Sequence, residues 1–132
     1  MGQNITRGAE QLLAEANERI TTIPVEEALD LVGSDQYVLI DVREPPELKR
    51  SGKIPGAVPC PRGQLEFWID SENPDQRAIF DQDKTYVFYC ASARRSALAA
   101  RTAQDMGLQP VAHIGGGFGA WVKAGGPVET LS

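Results

Sequence analysis

The segment Tyr37-Val38-Leu39-Ile40-Asp41-Val42 places the tightest limit on the fold. Its apolar, β-favouring residues run consecutively instead of alternating with polar ones, so the strand is expected to be buried on both faces. Such a strand belongs in a parallel sheet between helical layers. The run Thr85–Tyr89 has the same character and ends on Cys90, and Val111–Ile114 reads as another short strand.

The segments between these strands read as helices and turns. Residues 8–20 carry Ala9, Leu12, Leu13, Ala16 and Ile20 at spacings of three and four, with Glu10, Glu15 and Glu18 outside. That is an amphipathic helix packed on a domain surface. Thr22-Ile23-Pro24 reads as a break, and Pro24 opens a second helix over Val25–Val32 that Gly33 ends. Pro45 and Pro46 start a short helix through Lys49, and Gly52 to Gly56 make a turn. A short strand follows at Ala57-Val58, then a helical turn over Gln64–Asp70 presents Leu65, Phe67 and Trp68. Ser71–Asp83 is a polar connection with a turn around Ala78–Phe80. Ser96–Met106 is an alanine-rich helix ended by Gly107, and Phe118–Ala124 is a short helix between glycine turns. Strands alternating with helices predict an α/β fold: a small three-layer sandwich with a mostly parallel sheet and helices on both faces. The division expected is an N-terminal helical extension over residues 1–21, packed on one domain over residues 22–130.

Composition narrows the function. With 42% hydrophobic and 23% charged residues, the chain is globular and not disordered. A net charge of −5 argues against nucleic acid as a bulk partner, which would need a basic face. No apolar run approaches the length of a membrane span, so no membrane partner is expected. Met1 to Thr6 lacks the pattern of a secretory signal, and two cysteines in a domain of this size need not be paired, so a reducing cytoplasmic location is expected.

In an open α/β sheet, ligands bind at the C-terminal ends of the strands. Cys90 stands at such an end, before the small residues Ala91, Ser92 and Ala93, then Arg94, Arg95 and Ser96. Backbone N–H groups and the positive end of a following helix can converge on its sulfur and favour the thiolate, and the arginines add fixed charge. Cys90 is therefore the candidate nucleophile, in preference to an inert core cysteine. Residues 91–95 are the candidate cradle, with Arg94 or Arg95 as the anion ligand. Asp41 and Arg43, at the end of the first long strand, read as an ion pair supporting the loop. Cys60, between Pro59 and Pro61, reads as a small core residue. His113, the only histidine, lies in a strand and reads as core, and a metal site is not expected. Gly115-Gly116-Gly117 fits neither a dinucleotide fingerprint nor a P-loop and reads as a turn passing close to the Cys90 loop.

Four segments resemble one family in its own order. Cys90–Ser96 resembles the active-site loop of rhodanese-like sulfurtransferases, a resemblance that implies Arg95 over Arg94 as the anion ligand and Ser96 as a supporting residue. Asp41-Val42-Arg43-Glu44, Gly52–Ala57, and Gly116-Gly117 with Ala120-Trp121 and Gly126-Pro127-Val128 resemble its other signatures. The resemblance spans roughly Ile23 to Val128. It implies a rhodanese-like fold and a reaction with no cofactor. Cys90 would take the outer sulfur of a small anionic donor such as thiosulfate, hold it as a persulfide, and pass it to a thiol or to cyanide. The partners implied are that donor and a thiol acceptor, small molecule or protein. The alternative is a catalytically weak module of the same family that binds a partner or senses sulfur or redox state. Related phosphatases and arsenate reductases use a longer loop with five residues between Cys and Arg, whereas four separate Cys90 from Arg95, so that chemistry is disfavoured. Ala93 stands where many members have glycine, and Lys53 where many have histidine. A positive φ at residue 93 would cost an alanine about 1 kcal/mol.

Overall fold

The two long apolar runs form the middle of the sheet. In the computed structural model, which describes residues 2–131, they are strands β2 (Tyr37–Asp41) and β4 (Thr85–Tyr89). They pair in parallel along their whole length, from Tyr37 opposite Thr85 to Asp41 opposite Tyr89. β3 (Val58–Pro59) flanks β2, and β5 (Val111–Ile114) flanks β4. The other edge is β1 (Thr21–Ile23), parallel to β5, giving the order β1-β5-β4-β2-β3. Met1, the first residue of the expected extension, lies outside the described residues.

Side-chain alternation sends each strand into two cores. On one face Val38, Ile40, Tyr86 and Phe88 pack with Leu13 and Ala16 of α1 (Ala9–Arg19) and with Ala97, Ala100 and Ala103 of α5 (Arg94–Asp105). On the other, Leu39, Val87, Tyr89, Ala112 and Ile114 pack with Ala28 of α2 (Val25–Ala28) and with Phe118 and Trp121 of α6 (Gly117–Lys123). The alanines of α5 let its backbone lie close to the sheet, so β4, α5 and β5 form one tight unit. Two further helices, α3 (Pro45–Ser51) and α4 (Leu65–Ile69), complete the layers. α3 opens with a capping box in which Glu44 and Glu47 bond each other's backbone. Among the described residues no helix is long and apolar enough to cross a membrane.

Five local expectations are corrected. Thr21–Ile23 is a strand where a break is expected, because its ladder to β5 and not its own pattern creates it. The second helix is α-helical only to Ala28 and closes as a 3-10 turn over Leu29–Leu31, with Val32 already extended. The short strand sits at Val58–Pro59, one residue later than expected, on the sheet edge where a proline is tolerated. α5 begins at Arg94, two residues before the expected start, so both arginines belong to its first turn. Leu12 and Ala9 also stay exposed, leaving Leu13 and Ala16 as the buried stripe of α1, with Ile20 buried just past its end.

Candidate active site

The alternation that buries Tyr86 and Phe88 toward α5 carries on to Cys90, just past the end of β4. Its side chain is 1% exposed. Ala91 and Ser92 turn the chain outward, and Ala93 adopts φ 72°, ψ 10°, the only positive φ at a non-glycine position among the described residues. The left-handed step is what aims α5 back over the sulfur. The Ser96 N–H donates to Cys90 Sγ at 3.4 Å, and the Cys90 thiol donates to Ser96 Oγ at 3.6 Å. Ser96 lies in the first helical turn, where N–H groups lack an intrahelical acceptor. The backbone groups of residues 91–95, the expected cradle, make no hydrogen bond to the resting Sγ among the described residues. Both bonds to the sulfur come from Ser96.

The glycine turn anchors the loop from behind. Phe118 N donates to Cys90 O at 2.7 Å and Gly119 N to Ala91 O at 3.0 Å. A Cβ on Gly117 (φ +63°) would lie 2.6 Å from Cys90 O and 2.8 Å from the Ala91 carbonyl, so only glycine lets the backbones approach this closely.

The arginines are engaged with acids. Arg95 makes two parallel bonds to Glu47 of α3, at 2.7 and 2.9 Å. Those bonds hold the Glu47 carboxyl down to about 2, against an opposing push from its partial burial. The same bonds raise the Arg95 proton affinity, with a smaller contribution from nearby Cys90. Arg94 pairs with Glu10 of α1 at 2.7 Å, both side chains exposed. The Arg95 fork is thus taken up by a carboxylate. No local sequence pattern marks Glu47, which lies 48 residues from Arg95 and reaches it only when β2 and β4 pair.

Asp41 and Arg43 form a buried pair, with Nη2 to Oδ2 at 2.7 Å and Nε to Oδ1 at 3.0 Å. Arg43 also donates to Gly52 O at 2.7 Å and lies 4.3 Å from the centre of the Phe118 ring. Burial opposes its charge, but the bonds to Asp41 prevail and its proton affinity is raised. The pair ties the end of β2 to the turn at Gly52 and to α6, whose N-terminus holds the Cys90 loop. Lys53 is paired with Glu129 at 3.3 Å and belongs to the C-terminal bridge.

His113 is buried as expected, but it is wired to the site. Its Nδ1 lies 3.1 Å from Ser96 Oγ, and its Nε2 lies 3.0 Å from Thr22 Oγ1. Burial pushes its proton affinity down to about 4, so the ring is neutral near pH 7. A signal for it existed: Val111 and His113 alternate toward the α5 face while Ala112 and Ile114 turn away. Cys60 is buried and free, and burial pushes its thiol up to about 12. A cleft of about 530 Å³ opens beside the loop, lined by Glu10, Thr22, Ser92, Ala93, Arg94 and His113 among others.

The family model for the rhodanese-like domain matches residues 24–124. A solved structure of a protein of unknown function from Rhodopseudomonas palustris, described as a possible tyrosine phosphatase, is 56% identical, with a TM-score of 0.95 over 98% of this chain and 99% of its own. The Mus musculus thiosulfate sulfurtransferase/rhodanese-like domain-containing protein 3 is 32% identical over 73% of this chain and 64% of its own length. The Homo sapiens thiosulfate:glutathione sulfurtransferase is 27% identical over 77% of this chain and 93% of its own. The chain spans 59% and 64% of the length of two of the curated relatives it matches. The matched span holds both central strands, the Cys90 loop and the helix that covers it, and with it the chain belongs to the rhodanese-like domain family.

Proposed function

We propose that this chain is a sulfurtransferase that moves sulfane sulfur from a donor such as thiosulfate to a thiol, or to cyanide in an assay, through a persulfide on Cys90. The observation that carries the reading is the placement of Cys90 Sγ under the first turn of α5, with the Ser96 N–H donating to it at 3.4 Å. A thiolate there attacks the outer sulfur of thiosulfate. The S–S bond of the donor breaks, and sulfite leaves with the bonding pair. The Cys90 persulfide is then attacked at its outer sulfur by the acceptor thiolate, which returns Cys90 as thiolate. Two half-reactions through one covalent intermediate give ping-pong kinetics. The N–H groups of the short loop make no bond to the resting sulfur and are left to meet the outer sulfur and the charge of the donor. Relatives named as sulfurtransferases support the same chemistry.

The description of the Rhodopseudomonas palustris protein favours phosphoryl chemistry as a second reading. Two features weigh against it. Four residues separate Cys90 from Arg95, a short wrap for a tetrahedral oxyanion. The Arg95 fork is already bound by Glu47 instead of being open to phosphate oxygens. Intact mass after incubation with thiosulfate separates the readings. The wild type should gain one sulfur atom and Cys90→Ala none, while an aryl phosphate should release no phosphate above the Cys90→Ala background. Absence of the sulfur adduct under excess donor sinks the proposal, and Cys90-dependent phosphate release would put the second reading in its place.

A further inference from the structure

The mechanism above leaves one buried histidine unused, and its position raises the question of how the Cys90 proton leaves. Cys90 is 1% exposed, Ser96 fully buried and His113 2% exposed, so no group in direct contact with the thiol offers its proton open water. Thr22, at the far end of the same hydrogen-bonded chain, lines the cleft beside the loop together with His113, but of the two only Thr22, on edge strand β1, is exposed. Register makes the chain continuous: His113 stands opposite Phe88 on one side and opposite Thr22 on the other. We infer that Cys90–Ser96–His113–Thr22 is a proton wire that carries the Cys90 thiol proton to the cleft when the nucleophile forms. The inference rests on the reading of Cys90 as a nucleophile.

Each link is a group that can both donate and accept. In the thiol state Cys90 donates to Ser96 Oγ, the Ser96 hydroxyl donates to His113 Nδ1, and His113 Nε2–H donates to Thr22 Oγ1. One proton shift along the chain reverses every bond. The Cys90 proton passes to Ser96, the Ser96 proton to Nδ1, the Nε2 proton to Thr22, and the Thr22 proton to a water in the cleft. Afterwards the Ser96 hydroxyl donates to the thiolate, Nδ1–H donates to Ser96 Oγ, and Thr22 donates to Nε2. The histidine begins and ends neutral, as its burial requires, and the net change is one proton moved from sulfur to water. The charged groups facing the same cleft are Glu10 of α1 and Arg94 of α5, which pair with each other at 2.7 Å and take no part in the chain. The Ser96 N–H and the reversed Ser96 hydroxyl then place two donors on the thiolate, a stronger arrangement than one.

The test reads thiolate formation without any sulfur donor. Iodoacetamide alkylation of Cys90 is followed by peptide mass across pH 5 to pH 10, in the wild type and in Thr22→Val, Thr22→Ser and His113→Phe. Thr22→Val keeps side-chain shape at an exposed edge position but removes the hydroxyl that must donate to Nε2 once the chain reverses. Alkylation at pH 7 should slow about fivefold in Thr22→Val and His113→Phe, the half-maximal rate moving to higher pH, since each loses a hydrogen bond between neutral groups that keeps the Ser96 hydroxyl turned toward the thiolate. Thr22→Ser should restore wild-type behaviour. Wild-type rates in Thr22→Val, or failure of Thr22→Ser to recover them, would overturn the wire, and the Thr22 variants decide the matter even if His113→Phe does not fold. A wild type that resists alkylation at every pH would instead overturn the nucleophile itself.

Discussion

Ala93 is a site where the backbone demands what its side chain opposes. Its φ of 72° and ψ of 10° are left-handed, where the cost to an L-residue is about 1.5 kcal/mol, above the ~1 kcal/mol expected from the sequence, an energy that Ala93→Gly releases. Two terms act against the substitution. Glycine adds about 0.7 kcal/mol of conformational freedom to the unfolded chain. The half-buried methyl group takes with it about 0.3 kcal/mol of burial. Ala93→Gly should therefore stabilise the fold by about 0.5 kcal/mol, or about 0.3 M in urea midpoint for an m-value of roughly 1.5 kcal/mol/M. Ala93→Val, β-branched and poorly tolerated at positive φ, should lower the midpoint instead. The glycine can hold the same dihedrals, so the Ser96 N–H stays on the sulfur and thiosulfate loading of Cys90 should remain within about twofold. Urea denaturation followed by far-UV circular dichroism, at constant m, measures the stability, and intact mass measures the loading. A midpoint lowered by glycine, or a valine variant as stable as the wild type, would show that residue 93 is not held left-handed and would refute the account of how the loop is aimed.

Two further outcomes follow from the charge pairs. Arg43→Met leaves Asp41 buried without its cation and should cost about 3 kcal/mol of stability, while adding Asp41→Asn should recover much of that; a loss under about 1 kcal/mol in urea would mean the pair does not secure the loop. Glu47 titrates at about 2 folded against 4.5 as a free group, so its stabilising contribution is present above about pH 5 and fades as pH falls toward 2. With Arg95 39% exposed, solvent screening reduces that contribution to about 1 kcal/mol. Glu47→Gln should lose correspondingly less stability between pH 5 and pH 2 than the wild type. Equal acid sensitivity in the two proteins would mean that Arg95 is not held as the structure has it.

Part of this protein is legible in its sequence alone. β2 and β4 declare themselves because continuous apolar runs have no other stable place than a sheet covered on both faces. Cys90 stands out because its strand ends there and small residues follow. The glycine turn near the loop was readable too, and Gly117 has no room for a Cβ against the Cys90 carbonyl. β1 was not legible, since three residues on a sheet edge carry no pattern of their own and exist as a strand only through β5. Arg95 was legible as a charge but not as half of a pair, because its partner comes from another helix. His113 was read as core, and its burial agrees, yet its two hydrogen-bond partners lie 17 and 91 residues away.

The sequence alone determined the class of sheet, the strand that delivers Cys90 and the count of residues from that sulfur to the arginines. These are local properties, written in burial pattern and spacing. Tertiary structure decided which groups meet the sulfur and which meet each other: Ser96 on the thiol, Glu47 on Arg95, and His113 and Thr22 behind Ser96. Those contacts depend on strand order and register, which bring distant segments side by side, and no local pattern encodes the distance between them.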